Sequence, residues 1–198
     1  MKYTVIDNFF EDANEVRRYA LSKTFSKLPG DYPGIRCFVE EENYINKIKD
    51  KIKEFFEFDS IDDSKLDCMF QLIPSYYEEG WVHRDSRCHC AGVVYLTENA
   101  PVKAGTSLCF KNNDGIDELA LQDLNRYKNY FYANNTVDKL RYRKIRDYHN
   151  SKYTEEVLVD NVFNRLLLYK GNILHKERMF FGDSKENSRL TLVFFYRK

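Results

Sequence analysis

From Leu66 to the end of the chain, the hydrophobic residues come in short runs that are separated by turn-forming residues. Clear examples are residues 68–73, 106–110, 164–171 and 189–197. Runs of this length, bounded by Gly, Pro, Asn and Asp, are typical of β-strands, because an amphipathic helix usually needs about ten residues or more. Several short strands in succession favour a sandwich or a barrel. We therefore expect a mainly β fold, of which a jelly roll is one example.

The N-terminal part of the chain has a different pattern, which predicts helices. After a short strand at residues 3–6, Asp12 and Glu15 have the spacing of a capping box, which marks the start of a helix. Residues 28–34 contain two Pro and two Gly, so they form a loop. A second helix is predicted over residues 41–56, because its apolar residues recur every three or four positions. These are Ile45, Ile48, Ile52 and Phe55.

The chain shows no internal repeat and no linker, so we predict a single domain over residues 1–198. In this prediction, residues 1–65 are a helical support for a jelly-roll core at residues 66–198. Residues 112–155 are polar and rich in Tyr, and we interpret them as an insertion or lid between strands. Helical stretches are predicted within the insertion at residues 116–125 and 137–148.

The charge balance gives no indication of a nucleic-acid or membrane partner. Lys and Arg together number 31, and so do Asp and Glu. The basic run at residues 140–146 could contact a phosphate backbone, but a solvated helix face is the favoured interpretation. The chain has no signal-peptide pattern at its start, and no apolar run approaches the ~18 residues of a membrane span. Five cysteines without a secretory context indicate free thiols in a reducing compartment, and we expect a cytoplasmic protein.

The candidate chemistry lies in a His-x-Asp motif and a distant histidine. On a strand, side chains two positions apart point to the same face, so His83 and Asp85 would lie side by side. His175 follows after a long gap, and Arg189 lies on the next predicted strand. Two His and one carboxylate, with a cation nearby, have the layout of a facial triad that leaves one face of an octahedral Fe(II) open. Each of these residues alone would more often be a surface, core or turn residue.

Several motifs together resemble the iron(II)/2-oxoglutarate-dependent oxygenases, in particular the prolyl-4-hydroxylase-like branch with its small phage-borne members. The resemblance rests on HRD (83–85), VVYL (93–96), AGTSL (104–108), NRLLLYKGNILH (164–175) and SRLTLVFFY (188–196). The N-terminal VIDNFF and YPGIR segments also resemble this group. The resemblance implies a distorted double-stranded β-helix, which agrees with the jelly roll expected from the strand pattern.

The resemblance also implies roles for individual residues. It implies that iron is held by three ligands, which are His83, Asp85 and His175. Arg189 would pair with the far carboxylate of 2-oxoglutarate, because a planar guanidinium can donate two parallel hydrogen bonds to a carboxylate. Thr191 lies two positions further along the same strand face and could add a third bond. Tyr95 matches a tyrosine that reaches the same carboxylate, although it could equally be a buried strand aromatic.

The activity implied by the resemblance is hydroxylation of a C–H bond with release of succinate and CO2. The cofactors would be Fe(II) and the cosubstrate 2-oxoglutarate, with ascorbate as an accessory. The substrate is a prolyl or other protein residue or a small molecule, and the balanced charge disfavours nucleic acid. A virus-encoded protein would act in the host cytoplasm. Two alternatives stay open: a cupin-like metal enzyme that needs no 2-oxoglutarate, and a non-catalytic jelly-roll binding domain. A zinc site at Cys88, His89 and Cys90 is disfavoured, because structural zinc normally needs a second ligand pair.

Overall fold

The computed structural model describes residues 2–30, 32–111 and 139–198, and nine β-strands and three α-helices occur in these ranges. The strands are β1 (Tyr3–Ile6), β2 (Ile35–Phe38), β3 (Leu66–Ile73), β4 (Cys88–Tyr95), β5 (Thr106–Lys111), β6 (Tyr153–Val159), β7 (Leu166–Lys170), β8 (Leu174–Glu177) and β9 (Arg189–Arg197). The helices are α1 (Ala13–Ser22), α2 (Glu42–Phe56) and α3 (Lys139–Asn150).

The strands form two antiparallel sheets that pack face to face. The larger sheet has six strands in the order β1-β7-β4-β9-β3-β2, and the smaller has three in the order β6-β5-β8. Leu108 and Val159 of the smaller sheet belong to the same hydrophobic cluster as Val93 and Val193 of the larger sheet. Two facing antiparallel sheets with non-sequential strand order are the architecture of a jelly roll, so the predicted double-stranded β-helix is confirmed.

The two N-terminal helices cover the outer face of the larger sheet. Asp12 Oδ1 accepts a hydrogen bond of 2.9 Å from Glu15 N, so the predicted cap at the start of α1 is confirmed. In α2, Ile48 and Ile52 are fully buried in one cluster with Phe70 of β3, as its three- and four-residue spacing predicted. Helices therefore cover this face of the sheet, and the opposite face is directed toward the smaller sheet.

Alternation along β9 decides which of its side chains face inward. Leu190, Leu192 and Phe194 pack in the cluster under the helices, whereas Val193 packs in the cluster between the sheets. Residues on a strand alternate between faces, so Arg189 and Thr191 belong to the inward-facing set with Val193. Both are buried, with 2% and 0% of their surface exposed.

The structure corrects two predictions about chain organisation. The segment predicted as helical support supplies the predicted strand β1 and also β2, which was not predicted because its residues IRCF show no apolar alternation and are half-buried or exposed. The predicted insertion at 112–155 extends too far, because β6 begins at Tyr153 and pairs with β5. Most residues of β6 are exposed or half-buried, which explains why its sequence looks like a polar loop. The predicted helix at 116–125 lies outside the described residues, whereas α3 overlaps the one predicted at 137–148.

The basic run on α3 is not simply a solvated face, which corrects another prediction. Arg146 is 4% exposed, and its guanidinium lies 3.1 Å from Glu78 and 3.3 Å from Glu79. Arg143 forms a second ion pair with Glu78. These cations therefore attach α3 to the segment that precedes β4. Within the described ranges, none of the helices has both the length and the apolar character that a membrane span requires.

Candidate metal centre

A cavity of about 290 Å³ lies against the inner face of the larger sheet. Residues from β3, β4, β7 and β9 form one wall, and residues from β5 and β8 contribute from the smaller sheet. The loop before β2 and the segment before β4 complete the lining. The predicted site residues that line it are His83, Asp85, His175 and Arg189. Tyr95 and Thr191 are fully buried and are register partners on β4 and β9.

The three candidate metal ligands converge at one end of this cavity. Their ligand atoms all lie within 4.8 Å of one another. Asp85 is in the middle, with Oδ1 4.0 Å from His83 Nε2 and Oδ2 3.5 Å from His175 Nε2. The backbones of His83 and His175 exchange two hydrogen bonds of 3.0 Å, which form an isolated β-bridge. This bridge brings together two residues that are far apart in the sequence.

Both imidazole rings are oriented by their own backbone. Nδ1 of His83 lies 2.8 Å from the carbonyl oxygen of Trp81, and Nδ1 of His175 lies 2.9 Å from that of Ile173. A carbonyl only accepts hydrogen bonds, so each Nδ1 carries a proton, and in the neutral form of each ring Nε2 offers a lone pair. Metal-binding histidines are commonly fixed in this way, because the bond at one nitrogen sets the tautomer and direction of the other.

The donor set fits a divalent transition metal. Asp85 Oδ2 is buried and has no hydrogen-bond partner, although an unsatisfied buried carboxylate oxygen is costly. A cation between the three side chains would satisfy it. Two imidazoles and one carboxylate with open positions are the ligands of non-haem Fe(II) sites. The Tyr169 hydroxyl lies 3.0 Å from His175 Nε2, and burial raises the pKa of Tyr169 well above its ordinary value, so it is a neutral donor that a bound metal would displace.

Helix α3 holds the segment that carries His83. Asn150 accepts a hydrogen bond of 3.0 Å from Val82 N through Oδ1 and donates one of 3.0 Å to Gly80 O through Nδ2. His149 Nε2 lies 2.8 Å from Val82 O and therefore donates to it. The backbone immediately before His83 is thus paired with side chains of α3. Sequence analysis did not identify these residues, because they lie far from His83 in the chain and belong to no motif.

The predicted cosubstrate residues form a polar group beside the metal ligands. Arg189 Nε lies 3.3 Å from the carbonyl oxygen of Ala104, and its guanidinium carbon lies 5.5 Å from the centre of the Tyr95 ring. The Tyr95 hydroxyl donates a hydrogen bond of 2.8 Å to Thr106 Oγ1. Thr191 Oγ1 is buried and has no partner. A cation and a free hydroxyl on one inward strand face suit an anionic group.

Two further charged residues in the cavity were missed by sequence analysis. Burial opposes ionisation of Glu177, but His83 and Arg189 outweigh it and lower the pKa of this carboxyl. Glu177 lies two positions after His175 on β8, so strand alternation could have placed it in the site. Arg36 lies on the unpredicted strand β2, so nothing in the sequence indicated that it faces the cavity.

The fold resembles known oxygenase structures at low sequence identity. A prolyl hydroxylase from Trichoplax adhaerens, in complex with a hypoxia-inducible-factor peptide, aligns with a TM-score of 0.56 and 14% identity over 99% of this chain and 83% of that one. A prolyl-4-hydroxylase from Pseudomonas putida aligns with a TM-score of 0.54 and 14% identity, over 100% of this chain and 92% of that one. HygX from Streptomyces hygroscopicus, with nickel and 2-oxoglutarate bound, aligns with a TM-score of 0.51 and 12% identity, over 98% of this chain and 82% of that one. At these identities, the likeness establishes the fold alone.

Sequence comparisons place the chain in a family. A search of curated proteins finds no match. The model described as "Family of unknown function (DUF6445)" matches residues 1–196, which is nearly the whole chain. The protein therefore belongs to the DUF6445 family.

Proposed function

We propose that this protein is an Fe(II)- and 2-oxoglutarate-dependent oxygenase that hydroxylates a C–H bond, and that residues 1–198 act as one catalytic domain. The observation that carries the proposal is the convergence of His83, Asp85 and His175 on a cavity that also contains buried Arg189. The fold shared with two prolyl hydroxylases and with HygX is consistent with it.

In this proposal iron would be held by His83, Asp85 and His175. With 2-oxoglutarate, Fe(II) would supply oxidative decarboxylation, in which one oxygen atom of O2 enters succinate, the other enters the substrate, and CO2 is released. The chain orients the imidazoles through the carbonyl groups of Trp81 and Ile173 and provides the carboxylate of Asp85. His175 and Arg189 are almost fully buried, whereas the side chain of His83 is 34% exposed and leaves the ligand group accessible from one side.

Arg189, Thr191 and Tyr95 would hold the distal carboxylate of 2-oxoglutarate. Arg189 uses Nε for Ala104 O, so its terminal nitrogens are the donors that would pair with the carboxylate. Thr191 Oγ1 has no partner within the described part of the chain and would donate a further hydrogen bond. The Tyr95 hydroxyl donates to Thr106 Oγ1 in the structure and would donate to the cosubstrate carboxylate instead when 2-oxoglutarate binds. Burial makes a charge-assisted pair at this position stronger than the same pair in water.

The competing function is a cupin-like metal enzyme that uses the same ligands without 2-oxoglutarate. Such an enzyme has no need for a buried Arg189 next to an unpartnered Thr191. This pair of residues favours the oxygenase. Measuring whether the protein binds 2-oxoglutarate therefore separates the two functions.

The test is an anaerobic titration of the purified chain with Fe(II), followed by 2-oxoglutarate. We expect about one Fe(II) per chain, and then a visible charge-transfer band that saturates with the cosubstrate. His175→Ala should abolish both signals, because a three-residue ligand set has no spare member. His89→Ala is the matched control, because His89 is exposed and lies outside the cavity.

Each outcome has a definite meaning. Iron binding without a 2-oxoglutarate band would favour the cupin-like enzyme, and unchanged iron binding in His175→Ala would reject the metal site. If both signals appear, succinate release and a gain of one oxygen atom by a substrate complete the demonstration of oxygenase activity.

A further inference from the structure

We infer that Arg36 binds a carboxylate group of the substrate, so that the substrate of this site is a carboxylate-bearing molecule. The inference rests on the proposed function and adds a substrate class to it. It begins with Arg36 on β2, which lines the same cavity as the metal ligands.

Strand register places Arg36 in one row with the cosubstrate residues. Arg36 on β2 lies opposite Gln71 on β3, and Gln71 lies opposite Thr191 on β9. Thr191 in turn lies opposite Tyr95 on β4. Register partners in antiparallel sheets point to the same face, so all four side chains face the cavity side. Arg36 and Thr191 are separated by two strand spacings, or roughly 10 Å between their backbones. Arg36 is therefore a second cationic position in the cavity, apart from the one at Arg189.

The Arg36 side chain is held in place by its neighbours. Its Nη2 donates a hydrogen bond of 3.2 Å to Gln71 Oε1, and Gln71 Nε2 in turn donates one of 2.8 Å to Pro33 O. Gln71 is only 2% exposed. The guanidinium carbon of Arg36 lies 3.8 Å from the centre of the Tyr32 ring, so the planar group is stacked on it. A stacked and tethered guanidinium loses little freedom when it binds a ligand.

One donor of this guanidinium has no acceptor. Arg36 Nε is buried and has no hydrogen-bond partner among residues 2–30, 32–111 and 139–198. Burial lowers the pKa of Arg36 to about 10, so the group stays charged at neutral pH. A buried N–H of a cation without an acceptor is unfavourable, and a carboxylate that enters the cavity would satisfy it.

The carboxylates already in the cavity do not take this position. Asp85 and Glu177 both attract Arg36 electrostatically, but neither accepts a hydrogen bond from its Nε. Asp85 belongs to the metal-ligand group. Glu177 is turned toward Gly80, since a Cβ placed on Gly80 would be in hard contact with Glu177 Oε2. Among the described residues, no carboxylate therefore accepts a hydrogen bond from Arg36 Nε, which leaves this donor for a ligand.

The cosubstrate is not the expected partner. Arg189, with Thr191 and Tyr95, already offers a cation and hydroxyls for one carboxylate. The remaining donor at Arg36 suits the substrate, which has to enter the same cavity. A volume of about 290 Å³ is at the lower end of the range for ligand pockets, which favours a small carboxylic acid over a bulky group.

The test measures binding and does not depend on turnover. Trp81 lines the cavity and is the single tryptophan of the chain, so its fluorescence reports occupancy. The probes are L-amino acids, 2-hydroxy acids and aromatic acids, each paired with its carboxamide, added to metal-free protein with saturating 2-oxoglutarate. A second arm uses peptides with blocked termini and one internal Asp or Glu. We expect at least one acid to bind about tenfold or more tightly than its amide, because the amide lacks the charge.

The decisive variant is Arg36→Gln, with Arg18→Gln as the matched control, because Arg18 is exposed on α1. Arg36→Gln should weaken acid binding about tenfold to a hundredfold and should leave amide binding unchanged. Arg36→Lys keeps the charge but loses the planar fork, so it should give an intermediate affinity. It also serves as the test if the Gln variant does not fold.

Failure of this inference can be distinguished from failure of the proposed function. Equal acid affinity in wild type and Arg36→Gln, or no preference for any acid over its amide, would overturn the role of Arg36. Loss of the Fe(II)–2-oxoglutarate band in Arg36→Gln would also overturn it, because Arg36 would then hold the cosubstrate. Absence of that band in the wild type rejects only the oxygenase. Arg36-dependent binding confined to the peptide arm supports carboxylate recognition and assigns the carboxylate to a protein side chain.

Discussion

Asn150 and Val82 are joined by a hydrogen bond of 3.0 Å from the backbone nitrogen of Val82 to Asn150 Oδ1, immediately before the candidate metal ligand His83. Asn150 also donates to Gly80 O. We predict that Asn150→Ala weakens Fe(II) binding about tenfold and lowers the free energy of unfolding by about 1–3 kcal/mol, because buried backbone groups lose their partners. Metal titration and urea denaturation measure both effects. Asn46→Ala, on the exposed side of α2, is the control, and equal iron affinity in all three proteins would contradict the prediction.

Arg189→Leu should separate cosubstrate binding from metal binding. The variant leaves the distal carboxylate of 2-oxoglutarate unpaired in a buried site, which should cost roughly 2–5 kcal/mol. At about 1.4 kcal/mol per tenfold change, affinity for 2-oxoglutarate falls by roughly thirty-fold to a few thousand-fold. Iron binding should persist, because the three ligands are unchanged. The charge-transfer titration measures this, with Arg197→Leu at the exposed end of β9 as the control. Equal 2-oxoglutarate affinity in Arg189→Leu and wild type would favour the cosubstrate-free enzyme.

Low pH should break the ion pairs between Glu78 and the arginines of α3 and so detach α3 from the segment before His83. The hydrogen bond from Arg143, together with Arg146, holds the pKa of Glu78 below its ordinary value of 4.5 despite burial. Because the pKa of Glu78 is lower in the folded state, the ion pair stabilises the folded protein at pH values above the ordinary pKa. This stabilisation is lost as the pH falls through the folded-state pKa. Trp81 on the segment stacks edge-on against Tyr142 of α3, with ring centres 5.6 Å apart.

The measurement for this acid release is the fluorescence of Trp81 in metal-free protein from pH 7 down to pH 2. We expect a transition below pH 4.5 that is largely absent in Glu78→Gln, because the neutral side chain has no charge to lose. Glu11→Gln is the control, because the side chain of Glu11 is 98% exposed. An identical transition in wild type and Glu78→Gln would exclude this ion pair as its cause.

The five cysteines should react slowly with thiol reagents while the protein is folded. All five are free, as the sequence predicted, and four of them are buried. Burial raises the pKa of Cys68 and Cys90 to about 12 and that of Cys37, Cys88 and Cys109 to about 11. The thiolate is the nucleophile, so almost none is available at pH 7.5. Labelling with a chromogenic disulfide should become fast only in denaturant. A thiol that reacts within seconds in native protein would contradict these environments.

The sequence predicted the parts of the fold and site that depend on short-range pattern. The three- and four-residue spacing of Ile48 and Ile52 predicted α2, and the spacing of His83 and Asp85 indicated a shared face. The link to His175 required a recognised motif set, because periodicity does not show which strands become neighbours. The structure does place these three residues together. Their binding of iron stays a prediction.

Other features could not be predicted, because they depend on contacts between distant residues. Arg36 lies on a four-residue strand whose pairing with β3 depends on the whole sheet. Asn150 bonds to Val82 over a separation of 68 residues, and neither residue type suggests the other. Strand β6 is mostly exposed, so it lacks the apolar alternation on which strand prediction relies.

The backbone bridge between His83 and His175 has a consequence for how the chain folds. These residues meet only when the long stretch of chain between them has closed into a loop, and closing such a loop costs entropy before any contact is gained. An early compact state that lacked the bridge would hold no complete set of ligands. A bound cation would favour the native state alone and would tie the two chain segments together. All five cysteines are free, so no disulfide joins these segments, and the bound cation would be a cross-link between the segment at His83 and Asp85 and the segment at His175.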